Sequence, residues 1–85
     1  LREETLGGHR LDPRLAQLAL VGVNAADRQE DFTYEHALGA LKENASAGQL
    51  VEAGVCAMLY GGLASWTTAA AAITRVLSNS DDHTF

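Results

Sequence analysis

Apolar residues recur along this chain at spacings of three and four, the period of an α-helix rather than the alternation of a strand. The first such stretch follows Asp12-Pro13. Asp caps free backbone N–H groups, and Pro fits the first helical position, where its missing donor costs nothing. From Pro13 to about Asp27, Leu15, Leu18, Leu20, Val21 and Ala25 form one stripe, widened by Ala16, Ala19 and Val23. So broad an apolar surface predicts a largely buried helix.

The polar run Asp27-Arg28-Gln29-Glu30-Asp31 interrupts this pattern. Its acids suit the positive end of a following helix dipole, so a second helix is expected from near Glu30. Within it Tyr34, Ala37, Leu38 and Leu41 make one stripe, while Phe32, His36, Gly39 and Glu43 lie along a neighbouring face. Asn44 can end this helix. Ser46 with Gln49 forms a capping-box pattern ahead of Leu50, Val51, Gly54, Val55, Met58 and Leu59, the third helix. Gly61-Gly62 is a break, after which Leu63, Trp66, Ala70, Ile73 and Leu77 mark the apolar face of a fourth. Ala69 to Ala72 permits a close helix crossing or a close subunit contact. Residues 1–11, with mixed charge and Gly7-Gly8, read as a lead-in; residues 79–85 read as a polar tail. The expectation is one all-α domain over residues 12–78, a small bundle of about four core helices without internal repeats.

Composition sharpens this picture. A chain of 85 residues is one domain at most, and at that size folding buries only about two-thirds of the unfolded surface. Hydrophobic residues are 47% but aromatics only 6%, so much of the apolar content is alanine, which favours helix. The thin core this implies points to oligomerisation. The net charge of -5, with no cluster of Lys or Arg, argues against nucleic acid and anionic membrane as partners. Cys56 is the only cysteine and cannot form an intramolecular disulfide. No apolar run approaches the length of about 20 that crosses a bilayer. The N-terminus lacks a signal-peptide pattern, and a cytoplasmic location is expected.

The stretch Leu11-Asp12-Pro13-Arg14-Leu15-Ala16-Gln17-Leu18-Ala19-Leu20, then His36, then Ala40-Leu41, then Tyr60-Gly61-Gly62, resembles the core of the carboxymuconolactone decarboxylase and alkylhydroperoxidase-D family. The resemblance covers about residues 11–77 and rests on helix order, spacing and a few residues. It implies an all-α fold whose thin protomers assemble as trimers or hexamers. Members with hydroperoxidase activity carry a Cys-x-x-Cys, three further residues and a histidine, with a glutamate on the preceding helix completing a proton relay. On that pattern the cysteine positions fall at Gln29 and Phe32, and the glutamate at Gln17, which cannot give or take a proton at physiological pH. Cys56 lacks a resolving partner in its own chain and reads as a small buried apolar residue. Thiol peroxidase chemistry is therefore disfavoured.

The decarboxylase branch of the family, which the resemblance also includes, works without paired cysteines by acid–base chemistry on a small lactone carboxylate. Glu30 and Asp31 precede His36 as acidic residues do there, although helix N-terminal placement explains both acids more simply. Losing CO₂ requires a proton on the carbon left behind, and a histidine, whose ordinary pKa is about 6.5, can deliver it. His36 is the candidate catalytic residue, and Arg14, Gln17, Arg28, Glu30, Phe32 and Tyr34 are candidates to line the substrate. Arg14 or Arg28 would hold the substrate carboxylate. Glu35 adjoins His36 in sequence but points about 100° away around the helix. Tyr34 and Trp66 fit core or interface better than ligand stacking. His9, His36 and His83 have no metal-ligand spacing, so neither metal nor cofactor is expected. The resulting expectation is a cofactor-independent decarboxylase, lyase or isomerase acting on a small-molecule substrate at a subunit interface. The alternative is a non-catalytic oligomeric binding or scaffold protein.

Overall fold

Asp12 starts the first helix: its Oδ1 accepts the Arg14 N–H at 2.8 Å, with Pro13 at the first helical position. A computed structural model describes the backbone of residues 11–84 and the side chains of residues 11–79. The lead-in up to residue 10, with His9, and the His83 side chain lie outside those described. Helix α1 spans Pro13–Ala26, α2 Glu30–Lys42, α3 Ala47–Gly61 and α4 Leu63–Thr84. The capping box before α3 forms in full: Ser46 Oγ accepts the Gln49 N–H at 3.1 Å, and Gln49 Oε1 accepts the Ser46 N–H at 3.0 Å.

Both α1 and α2 stop through a residue in left-handed conformation. Arg28 has φ 59 and Asn44 φ 72. The Arg28 N–H then donates to the Ala25 carbonyl and that of Gln29 to Asn24, while Asn44 donates to Leu41 and Ala45 to Ala40. Four carbonyls that a helix end would leave unpaired are satisfied this way. Gly62, with φ 86, turns the chain between α3 and α4.

The described residues form an all-α bundle. Around its perimeter α1 lies against α2, α2 against α4, α4 against α3 and α3 against α1, with α1 also touching α4 across the diagonal. The body measures 36 × 35 × 19 Å, so its thinnest dimension holds about two helices of ~10 Å diameter. Its centre is built from small side chains: Ala25, Ala37, Ala40, Ala69 and Ala72 are fully buried beside Val21, Leu50 and Val76. Tyr34, Leu38, Leu41, Trp66 and Leu77 wall this centre in and stay half-buried. Small residues set the spacing. A Cβ on Gly54 would stand 3.0 Å from that of Ala69, and one on Gly61 would collide with Ser65, whose Oγ donates to the Ala26 carbonyl at 3.0 Å.

Several expectations need correction. α1 is not largely buried: only Val21 and Ala25 are, while Leu15 and Val23 are 53% and 61% exposed. In α3 Leu50 and Gly54 face the core, whereas Leu59 is 79% exposed. The buried stripe of α4 runs through Ser65, Ala69, Ala72, Ile73 and Val76, centred about a quarter-turn from the expected face; Ile73 belongs to both, Trp66 and Leu77 are half-buried against the core, and Leu63 is exposed. Where α3 comes closest, at Gly54 against Ala69, there is no room for a larger side chain. α4 also continues to Thr84 instead of ending in a tail; no Gly or Pro follows Gly62 to break it.

Candidate functional site

His36 lies on α2 one turn beyond Phe32. Thr33, Ala37 and Ala40 of the same helix point into the core, which leaves His36 half-buried on the flank facing α1. The short turn over residues 27–29 sends α2 back along α1, so the middle of α2 meets the N-terminal half of α1. Gln17 of α1 thereby reaches His36: Nδ1 and Oε1 stand 2.9 Å apart across 19 residues of sequence. Gly39 makes the room. A Cβ there would lie 2.8 Å from both Cδ and Oε1 of Gln17.

The two positions that the family resemblance assigns to a relay acid and its histidine are thus in hydrogen-bonding contact, with an amide in place of the acid. His36 Nε2 has no hydrogen-bond partner among the described residues. Every buried side-chain nitrogen and oxygen among them has one, so Nε2 reaches solvent. Phe32, 58% exposed, covers the neighbouring turn of the same face.

The other candidates do not converge on His36. Glu30 and Asp31 occupy the first turn of α2 and take Arg75 of α4 as partner, at 3.7 and 3.1 Å. The Arg75 guanidinium also stacks 3.9 Å above the ring of Tyr34, and the Tyr34 hydroxyl accepts from Asn79 Nδ2 at 2.8 Å. These residues lock α2 to α4. Arg75 and Asn79 escape a reading of the sequence because they lie 44 and 45 residues from their partners. Arg28 is exposed at the far end of α1. Arg14 is one helical turn before Gln17 on the same side of α1 and makes a long 3.9 Å contact with Asp12. Glu35 is exposed.

A separate concavity runs between α1 and α3. This groove of ≈ 920 Å³ has a floor of Leu18, Gly22, Ala26 and Ala53, with Val23 and Tyr60 at its margins. Cys56 opens onto it and is exposed, contrary to its expected burial. Among the described residues no cluster of His, Cys, Asp and Glu could hold a metal ion, and no helix is long and apolar enough to cross a membrane. The chain matches no family model, no curated protein and no solved structure.

Proposed function

We propose that this protein is a carboxymuconolactone decarboxylase-like homo-oligomer that performs cofactor-independent acid–base chemistry on a small carboxylated or cyclic substrate. His36 is its proton donor or acceptor. The observation that carries this is the His36–Gln17 contact of 2.9 Å, formed between the two residues that the resemblance pairs. With Nδ1 engaged by Gln17, proton exchange falls to Nε2. In a decarboxylation the bond to the carboxylate carbon breaks, CO₂ leaves, the electron pair stays on the substrate carbon, and protonated Nε2 supplies the proton. In an isomerisation neutral Nε2 removes a proton and returns it elsewhere. Arg14 is the candidate for holding the carboxylate, since a charge-assisted pair would fix the substrate beside the imidazole.

The subunit-interface location is supported by the shape of the protomer. His36 is half-buried on the α1–α2 flank and its Nε2 reaches solvent, so a protomer packed against that flank, in addition to a contact through the α1–α3 face, would close the site and exclude water.

The test is turnover of a panel of small lactone carboxylates and cyclic acids by wild type and His36→Ala. General acid–base catalysis is worth about 10²–10⁴-fold, so the variant should lose turnover by at least that lower factor while keeping its mass in solution. Undiminished turnover by His36→Ala removes His36 from the chemistry. A second reading, a non-catalytic binding protein, is favoured by the neutrality of the pair, because Gln17 cannot relay a proton. Turnover by wild type ends that reading.

A further inference from the structure

We infer that Gln17 is a positioning residue that holds neutral His36 in the tautomer protonated at Nδ1, and that Gly39 is present to let it do so. A neutral imidazole carries one proton on either ring nitrogen, and the partner of one nitrogen decides which. Oε1 of an amide only accepts hydrogen bonds. With Oε1 rather than the amide NH₂ turned to Nδ1, at 2.9 Å, the proton belongs on Nδ1, which leaves Nε2 with a free lone pair at the solvent-facing side. A free histidine side chain prefers the opposite arrangement, with the proton on Nε2. The contact therefore reverses an intrinsic preference and presents a base where the unconstrained ring would present a donor.

Gly39 is the second half of the device. A glycine inside a helix costs roughly 0.5–1 kcal/mol relative to alanine, so its place on α2 calls for a reason. The space its missing Cβ vacates is filled by the end of the Gln17 side chain, with Cδ and Oε1 at 2.8 Å and Nε2 at 3.2 Å from where that Cβ would be. Alanine at this position would favour the helix yet push the amide off the imidazole.

The catalytic consequence rests on the acid–base role proposed above, but the tautomer does not, so it is read without a substrate. The experiment is a long-range ¹H–¹⁵N correlation of the ring nitrogens of His36, assigned by its loss in His36→Ala, in the full chain at a pH where the imidazole is neutral. Wild type should show the Nδ1-protonated form. Gln17→Leu removes the acceptor, and the loss of one ordinary hydrogen bond should move the tautomer ratio about five-fold toward Nε2 protonation. Gln17→Glu retains an acceptor and should keep the wild-type pattern. Gly39→Ala should behave like Gln17→Leu with the helical signal and molecular mass unchanged. Nε2 protonation in wild type, or one tautomer ratio across all the variants, overturns the inference. If His36→Ala spares turnover while these ring signals behave as stated, the proposed chemistry fails and the positioning role stands.

Discussion

At Arg28 a single residue accepts an unfavourable backbone geometry so that a helix can end. Its φ of 59 places a long, branched-charge side chain in the left-handed region that glycine enters freely. The equivalent turn after α2 uses Asn44, which tolerates that region better. What holds Arg28 there is the pair of hydrogen bonds into the last turn of α1, from its own N–H and that of Gln29. Arg28→Gly keeps both bonds and removes the steric cost. We expect it to raise stability by about 1 kcal/mol, read as a higher urea midpoint at unchanged slope. The same variant tests the residue chemically. Arg28 lies at the opposite end of α1 from Arg14, so turnover, where found, should survive Arg28→Gly and fall in Arg14→Ala. A midpoint no higher than wild type would show that the arginine side chain has a compensating contact.

At the scale of helices, the glycines show where close approach matters and where it does not. On α3, Gly54 faces Ala69 and Trp66 so tightly that an added Cβ would lie 3.0–3.1 Å from them, whereas one on Gly48 meets nothing nearer than 3.7 Å. Alanine should improve helix propensity at both, by up to about 1 kcal/mol. At Gly54 that gain is opposed by overpacking of about 1–3 kcal/mol, because helix α4 must shift as a body. Gly54→Ala should therefore lower the thermal midpoint and Gly48→Ala raise it; equal changes would mean that α3 and α4 are not packed as described. This contrast also explains what the sequence made legible. Caps and breaks are local chemistry, so the Asp12-Pro13 start, the Ser46–Gln49 box, the Asn44 stop and the Gly61-Gly62 turn are readable from neighbours alone. The centre of the buried face of α4 is not, because the close contact with α3 at Ala69 requires a small residue there, and the expected stripe shares only Ile73 with the buried one. The Arg75 contacts with Asp31 and Tyr34 are likewise invisible to local pattern. Gln17 and His36 could be paired beforehand only through the family resemblance, since no spacing rule links residues on different helices.

For the whole molecule, the distribution of charge among the helices points to a partner of the same kind. α1 and α3 each carry one charged side chain, Arg14 and Glu52, and are apolar around most of their circumference. A helix of that composition is normally buried on all sides, yet in the isolated protomer Leu15, Val23, Leu59 and Tyr60 are between 53% and 87% exposed. Side by side, two helices of 14 and 15 residues present a face of roughly 400 Å² in projection, taking ~1.5 Å per residue and ~10 Å per helix. Protruding side chains increase the accessible area. Leu63 at the adjoining corner, 74% exposed, extends this face. An apolar face of a few hundred Å² is of the size at which exposed patches often mark binding surfaces. The homo-oligomer proposed above would cover this face with a second copy, giving each apolar helix the cover that its own chain lacks. Wild type should therefore run as an oligomer in light scattering at micromolar concentration. Val23→Glu and Tyr60→Glu, both at the margins of the α1–α3 groove, should shift it to the monomer mass while preserving the helical signal, because neither side chain supports the protomer's own core. A monomeric wild type, or variants that keep the wild-type mass, would rule out this face as the contact between copies.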